Sequence, residues 1–258
     1  MILEASGLSK HFGGIKALSD VSLNVGQAEI VGLIGPNGAG KTTFFNCITG
    51  VYRLDRGRVI FGEYKRDITG FPAHRVSQSG IARTFQNARV FASMSALENV
   101  MVGTFSRTSG RMLGIIRGSR RIREEEEGVC RRSHELLRLL NLDRRAYDLA
   151  SSLPFGLQRR LEIARALAGE PRLLLLDEPA AGMNSAEKLG LLDVIRDIRS
   201  SGISVLIIEH DMKLIMGLCQ RIAVLDYGRK ICEGPPEEVR RDPKVIEAYL
   251  GSGDVPES

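Results

Sequence analysis

A glycine-rich segment between a short apolar run and a helix-forming run constrains the fold of this chain most strongly. Residues 29–43 read EIVGLIGPNGAGKTT and contain the pattern G-x-x-x-x-G-K-[ST], in which glycines let the backbone curl around a polyphosphate. The N–H groups of such a loop form an anion-binding concavity, and the following helix adds the positive end of its dipole. We therefore predict a phosphate-binding loop formed by Gly35, Pro36, Asn37, Gly38, Ala39, Gly40, Lys41, Thr42 and Thr43.

Two side chains at the end of this loop supply the chemistry that a nucleotide requires. Lys41 brings a full positive charge to the β- and γ-phosphates, which makes it a predicted catalytic residue, and the hydroxyl of Thr42 is a predicted Mg²⁺ ligand. An ordinary glycine turn is the alternative, but four fixed positions match by chance in roughly 1% of chains this long. The strand-like and helix-like flanks favour nucleotide binding.

Three further apolar segments are predicted strands that end in polar residues. Asp177 and Glu178 follow four leucines, His210 follows the segment 203–208, and Gln86 ends the segment 81–86. Ligands of open α/β sheets bind at the carboxyl ends of the strands. With the loop upstream, Asp177 is predicted to hold Mg²⁺ and Glu178 to polarise the attacking water. His210 is predicted to contact the γ-phosphate or that water, although a lone histidine is more often structural.

Phe12 stands in a predicted loop, residues 11–14, between the first two short strands. An aromatic ring there is able to stack on an adenine base, an interaction worth roughly 1–3 kcal/mol in nucleic-acid sites. A position in the hydrophobic core is the alternative. The phosphate-binding loop downstream favours the stacking role.

The composition fits an α/β domain built from aliphatic side chains, with 26% charged residues, 5% aromatic residues and no tryptophan. The net charge of +5 is found both in nucleic-acid binders and in proteins that face anionic lipid, so it decides little. The four cysteines lack C-x-x-C spacing and are typical of reduced intracellular thiols. We find no signal-peptide pattern and no apolar run of membrane-spanning length, so we expect any membrane association to depend on a partner.

A helical pattern replaces the strand pattern between residues 88 and 169. Within it, residues 104–123 contain six arginines and no acidic residue, which indicates either a solvated face or a contact with lipid or a membrane partner. Near the end of this region the segment LPFGLQ, residues 153–158, leads into a predicted helix from about Gly156 to Ala168. Residues 252–258 are predicted to be disordered.

The order of these features resembles that of the ATP-binding cassette (ABC) ATPases over residues 1 to about 251. This resemblance implies an α/β fold with a P-loop NTPase (RecA-like) core and an N-terminal antiparallel β subdomain, residues 1–87 and 170–251, and an inserted α-helical subdomain, residues 88–169. Finer features are similar to the ATPase subunits of branched-chain amino-acid importers. They are the stretches RTFQNARVF, LPFGLQRRLEIARAL, DEPAAGMN, IEHDMKLIMG and DPKVIEAYLG.

The resemblance also implies ATP and Mg²⁺ as cofactors and a role for each site residue. Phe12 matches the family's adenine-stacking aromatic, and Gln86 matches the Q-loop residue that contacts the metal and couples to the membrane subunits. Glu178 matches the general base and His210 the switch histidine. Gly156 matches a signature glycine that faces the ATP held by an opposite chain.

This chain departs from the family pattern at that signature, usually L-S-G-G-Q. Pro154, Phe155 and Leu157 replace serine, glycine and glutamine, and Asn184 stands where aspartate is common. Proline has neither a hydroxyl nor an N–H group. We therefore expect a heterodimer with a second ABC ATPase subunit that carries an intact signature, with a homodimer as the alternative.

The implied partners are integral membrane permease subunits and, indirectly, an extracytoplasmic solute-binding protein, with no nucleic acid. The implied location is peripheral, on the cytoplasmic face of the inner membrane. Three alternatives stay open: amide or urea uptake, lipopolysaccharide-type export, whose ATPases keep a serine-glycine-glycine signature, and an ABC ATPase without a transport role. The lack of an Asn-Lys-x-Asp motif argues against a GTPase.

Overall fold

The computed structural model describes residues 1–85, 90–104 and 120–251. Three of the sequence predictions concern Gln86, the arginine-rich segment 104–123 and the tail 252–258. Gln86, the tail and most of the arginine-rich segment lie outside the described residues.

Ten strands occur in the described ranges: β1 (Leu3–Phe12), β2 (Ile15–Val25), β3 (Ile30–Ile34), β4 (Arg56–Phe61), β5 (Arg66–Asp67), β6 (Ile81–Arg83), β7 (Leu173–Asp177), β8 (Ser204–Ile208), β9 (Arg221–Asp226) and β10 (Arg229–Gly234). One sheet is antiparallel and has the order β2-β1-β4-β5. The other has the order β10-β9-β3-β8-β7-β6, in which all neighbours are parallel except β10 and β9. The predicted α/β fold class is confirmed.

The same ranges contain nine α-helices: α1 (Lys41–Ile48), α2 (Ala73–Gln78), α3 (Ala96–Gly103), α4 (Arg120–Leu139), α5 (Phe155–Ala168), α6 (Ser185–Ser200), α7 (Met212–Leu218), α8 (Pro236–Arg241) and α9 (Pro243–Gly251). None of these helices combines the length and the apolar character needed to cross a bilayer.

The chain divides into two compact units. The first comprises Met1–Arg83, Arg172–Glu178 and Ile198–Ser258, and it contains both sheets. The second comprises Thr84–Pro171 and Pro179–Asp197, and it contains α3, α4 and α5. The family resemblance implies that residues 179–197 belong to the core, whereas in the structure they belong to the second unit. The subdomain boundaries stay a prediction.

The central strands of the parallel sheet are short, apolar and fully covered. Every residue of β3, β7 and β8 is buried, as expected for strands with helices on both faces. In the register of the sheet, Ile208 lies opposite both Leu33 on β3 and Asp177 on β7. The residues that follow these three strands therefore emerge at one edge of the sheet.

The helix after β3 is anchored by its apolar face. Phe44, Phe45 and Ile48 of α1 are at most 1% exposed and belong to one core cluster with residues of both sheets. Full burial of such side chains contributes roughly 1.5–3 kcal/mol each. This packing fixes the first turn of α1, where the predicted phosphate contacts lie.

An ion network ties β9 to the strand that leads into the loop. Arg221 donates to both carboxylate oxygens of Glu29, each at 3.1 Å, and to the carbonyl of Asn24 at 2.8 Å. It also pairs with Glu233, which Lys230 contacts as well. Burial alone raises the pKa of Glu29, but hydrogen bonds from Arg221 and the Gly26 N–H, together with the charge of Arg221, hold that pKa below its ordinary value.

Replacing Arg221 by methionine is expected to lower the free energy of unfolding by about 2–4 kcal/mol at pH 7, because it leaves the partly buried Glu29 carboxylate without its cation, whereas Glu233 keeps its pair with Lys230. A carboxyl whose pKa is lowered on folding stabilises the protein above its unfolded pKa. The loss should therefore be full above the ordinary value of 4.5 and shrink as the pH falls through the lower folded pKa of Glu29. Urea denaturation at pH 7 and pH 4 measures both effects. Arg58→Met is the control, since its exposed pair with Asp67 is worth at most about 1 kcal/mol. Equal losses in the two variants would contradict the prediction.

Candidate nucleotide site

The loop between β3 and α1 has the strand–loop–helix form that the sequence predicts. Lys41 is 6% exposed, and its Nζ donates to the carbonyls of Gly35 at 2.6 Å and Pro36 at 2.9 Å. These bonds hold the ammonium group against the backbone of the loop. Thr42 follows in the first turn of α1 and is exposed. The geometry places a charge, a hydroxyl and helix N-terminal N–H groups on one short segment, as a polyphosphate site requires.

The turn between β9 and β10 is hydrogen-bonded to the loop between β3 and α1. The N–H of Gly228 donates to the carbonyl of Ala39 at 3.0 Å, and the carbonyl of Gly228 accepts from the N–H of Ser19 at 2.8 Å. One turn residue thus connects the phosphate-binding loop to β2. The sequence alone does not predict this support, because it depends on a contact between segments nearly two hundred residues apart.

Asp177 and Glu178 differ in their surroundings although they are neighbours. Asp177 ends β7, is 2% exposed and accepts a hydrogen bond from Arg83 Nη2 at 2.9 Å. Glu178 has a backbone φ of +48°, and its N–H donates to the carbonyl of Ile208 at 2.9 Å. Non-glycine residues seldom adopt positive φ, and such strain clusters at functional sites.

Glu178 and His210 are in direct contact. The distance between Glu178 Oε1 and His210 Nε2 is 2.7 Å, and because a carboxylate only accepts, the ring Nε2–H donates. The Glu178 side chain is 17% exposed and that of His210 is 43% exposed. This pair therefore lies where water reaches it, as a general base and its orienting group require.

Phe12 is the last residue of β1 and not a loop residue, because the antiparallel pairing continues to Phe12 opposite Ile15. It is 42% exposed, which is unlike a core position, and its ring meets the ring of Tyr52 edge-on with centroids 5.1 Å apart. The ammonium of Lys10 lies 5.3 Å from the Phe12 ring centroid. Tyr52 and Lys10 were not identified from the sequence, since no local pattern marks them.

Asp55 anchors the residues next to Phe12. Its carboxylate accepts from the His11 N–H at 2.6 Å and from Lys10 Nζ at 3.1 Å. Hydrogen bonds from the His11 N–H, the Lys10 ammonium and the His11 ring lower the pKa of Asp55 to about 2. The carboxylate therefore stays ionised and holds the end of β1 in place.

Gly156 lies in the second unit, in the first turn of α5. Pro154 is the N-cap and makes no side-chain cap hydrogen bond. A Cβ at Gly156 would lie 2.7 Å from Glu187 Oε1, so this glycine leaves room for a carboxylate beside the start of the helix. Phe155 is 47% exposed, and the guanidinium of Arg159 lies 5.3 Å from its ring centroid. The reduced contribution of this turn to a nucleotide site stays a prediction.

The first unit thus gathers several of the predicted residues at one sheet edge. The phosphate-binding loop follows β3, Glu178 follows β7, and His210 lies just after β8, which is between those two strands. Phe12 belongs to the other sheet of the same unit. The roles of all these residues, and of Gln86 and Gly156, stay predictions.

Comparison with protein-family models gives two matches. Residues 18–181 match the family described as ABC transporter. Residues 229–255 match the family described as branched-chain amino acid ATP-binding cassette transporter.

Curated relatives resemble the chain over nearly its whole length. The high-affinity branched-chain amino acid transport ATP-binding protein BraF of Pseudomonas aeruginosa is 43% identical, with 97% of this chain and 98% of the relative covered. The lipopolysaccharide export system ATP-binding protein LptB of Acidithiobacillus ferridurans is 39% identical, with 97% of each covered.

Two solved structures are similar in fold. The ADP conformation of an ATP-binding cassette of an ABC transporter has a TM-score of 0.84 and 33% identity, with 97% of this chain and 98% of that chain covered. A dimeric cassette in a post-hydrolysis state, bound to ADP and Pi, has a TM-score of 0.76 and 25% identity, with 91% and 99% covered.

Proposed function

This chain belongs to the ABC transporter family of ATP-binding cassettes, and we propose that it is the ATP-hydrolysing subunit of an importer for branched-chain amino acids. Proteins of this family are ATPases that bind nucleotide. The importer reading is supported by the 43% identity to BraF and by the match of residues 229–255 to a branched-chain amino acid transporter family.

The contact between Glu178 and His210 carries the proposed mechanism. A carboxylate that takes a proton from water must be held at a fixed angle, and the 2.7 Å hydrogen bond from His210 supplies that orientation. Lys41 binds the β- and γ-phosphates and neutralises charge that develops on the transferred group. The water oxygen then bonds to the γ-phosphorus while the bond from that phosphorus to the β–γ bridging oxygen breaks, Glu178 accepts the proton of the water, and ADP and phosphate are the products.

The residues present suit Mg²⁺. Carboxylate and hydroxyl oxygens are ligands that this cation prefers, and we assign Asp177 and Thr42 to it, with Gln86 as the third predicted ligand. When bound, Mg²⁺ supplies positive charge to the phosphate oxygens. The near-complete burial of Asp177 fixes the carboxylate that would hold it.

ABC ATPases of this kind dimerise and work with membrane permease subunits. We further propose that this chain pairs with a different ABC ATPase subunit. Pro154 and Leu157 lack the donors of the serine and glutamine that they replace in the signature turn, and the Glu187 carboxylate beside Gly156 opposes a second anion there. The complex would sit on the cytoplasmic face of the inner membrane and receive its solute from an extracytoplasmic binding protein.

Reconstitution in proteoliposomes tests the proposal. The chain is combined with its candidate second ATPase, the two permeases and the binding protein, and uptake of radiolabelled leucine is measured with enclosed ATP. We expect ATP-dependent uptake with both ATPases and little turnover by this chain alone. Full ATPase turnover and tight ATP-driven homodimers of the isolated chain would contradict the heterodimer.

Lipopolysaccharide-type export is the second proposal that an observation favours, because LptB is 39% identical. The two readings differ in their partners. Co-purification with permeases and stimulation by a leucine-loaded binding protein supports import. Stimulation by lipopolysaccharide without any such binding protein would overturn it.

A further inference from the structure

A buried arginine lies against the predicted metal-side carboxylate. Arg83 is the last residue of β6, and its side chain is 8% exposed. Its Nη2 donates to Asp177 Oδ2 at 2.9 Å, and the Asp177 side chain is 3% exposed. The catalytic roles proposed above make no use of this cation.

The same guanidinium is also bound to the helix that follows the phosphate-binding loop. Its Nη1 donates to Asn46 Oδ1 at 2.6 Å and lies 3.4 Å from Thr49 Oγ1. The central carbon of the guanidinium, Cζ, lies 5.4 Å from the centroid of the Phe45 ring. Arg83 therefore connects β6, β7 and α1 through one rigid group.

Arginine suits this position because its planar fork donates in several fixed directions at once. A carboxylate as buried as Asp177 is costly without a hydrogen-bonded partner of opposite charge. The cation that satisfies it also restricts how it rotates. The second nitrogen of the guanidinium, Nη1, is held by Asn46 of α1. The rotation of the Asp177 carboxylate is therefore restricted relative to the helix that carries Thr42.

We infer that Arg83 is a positioning residue for the metal site. It holds the Asp177 carboxylate and couples it to α1, so that the carboxylate and the Thr42 hydroxyl keep a fixed relative position. This inference rests on the proposed assignment of Asp177 and Thr42 to Mg²⁺. Groups that orient metal ligands in this way typically change metal affinity by about 10–100-fold when they are removed.

The test separates metal binding from nucleotide binding. For Arg83→Met, the affinity for ADP is first measured by calorimetry in EDTA, without free metal. It is then measured at increasing Mg²⁺ concentrations. The midpoint is the Mg²⁺ concentration that gives half of the metal-dependent gain in ADP affinity. We expect that concentration to rise by about 10-fold or more, while ADP affinity in EDTA stays within about 2-fold of the unmodified protein. Arg83→Lys keeps the charge without the fork and should shift the midpoint by less.

Arg172→Met is the matched control. Arg172 directly precedes β7, at the end of the strand opposite to Asp177, where its guanidinium lies 5.2 Å from the Phe61 ring centroid and donates to the carbonyl of Ser79 at 3.0 Å. Arg172→Met removes a stacked arginine, as Arg83→Met does. Because Arg172 lies at the other end of β7 from Asp177, its removal should leave the Mg²⁺ midpoint unchanged.

An unchanged midpoint in Arg83→Met overturns the inference, and so does an equal loss of ADP affinity with and without Mg²⁺, which a purely structural ion pair would produce. If Arg83→Met does not fold, Arg83→Lys decides, and an unshifted midpoint in that variant has the same meaning. Failure of the unmodified protein to bind ADP would instead contradict the proposed function itself.

Discussion

Replacing Glu178 by glutamine is expected to reduce ATP hydrolysis by about 10²–10⁴-fold and to leave ATP binding intact. The amide has nearly the same shape, and it is still able to hydrogen-bond to His210. It cannot accept the proton of the attacking water, however, so the chemical step loses its base. Single-turnover hydrolysis and equilibrium ATP binding, measured on the same preparation with its partner subunits, separate the two effects.

Glu170→Gln is the matched control for this prediction. Glu170 has nearly the same positive φ, +45° against +48°, but it is exposed and precedes β7, whereas Glu178 follows it. The control should hydrolyse ATP within about twofold of the unmodified protein, as expected for a surface substitution. Unchanged turnover in Glu178→Gln would remove this residue as the base, and an equal decrease in both variants would indicate a general loss of folded protein.

The contact between Glu178 and His210 could not be predicted from the sequence, although each residue could. Both stand just after apolar strands, which is a local pattern. Their contact depends on the neighbouring positions of β7 and β8 and on a register that sets Asp177 opposite Ile208. Register is a property of paired strands, and Glu178 and His210 lie 32 positions apart in the sequence, so no local pattern indicates their contact.

Arg83 was missed although the sequence contained a signal. The sequence predicts a strand over residues 81–86 with Arg83 inside it, and the structure ends this strand, β6, at Arg83. A charged residue in such a strand needs a partner of opposite charge. The partner, Asp177, is more than ninety residues away, so the pattern indicates that an ion pair exists but not where it lies.

The extent of the first strand was predicted too short. The apolar pattern indicates a strand over residues 2–5, but β1 continues from Leu3 to Phe12. Its pairing with β2 passes through irregular steps in register, and each step interrupts the alternation of apolar and polar residues. For that reason the sequence pattern predicts a loop at Phe12, where the structure has the last residue of β1.

Replacing Gly35 by alanine is expected to weaken nucleotide binding by about 100-fold or more, because small displacements at a phosphate-binding loop are costly. A Cβ at Gly35 would lie 2.0 Å from the backbone carbonyl oxygen of Leu225, and its φ of +145° is one that side chains rarely adopt. The loop must therefore move away from β9. We also expect a loss of about 2–5 kcal/mol in the free energy of unfolding.

Gly70→Ala is the control that separates the cost of backbone strain from the cost of the steric clash at Gly35. Gly70 also has a positive φ, +72°, but a Cβ there meets no atom within 4 Å. It should therefore lose only about 1–2 kcal/mol in the free energy of unfolding and keep its nucleotide affinity. Urea denaturation and ADP calorimetry compare the two variants. Normal ADP affinity in a folded Gly35→Ala protein would show that the loop does not need its close approach to β9, because the N–H groups that bind phosphate would then be in place without it.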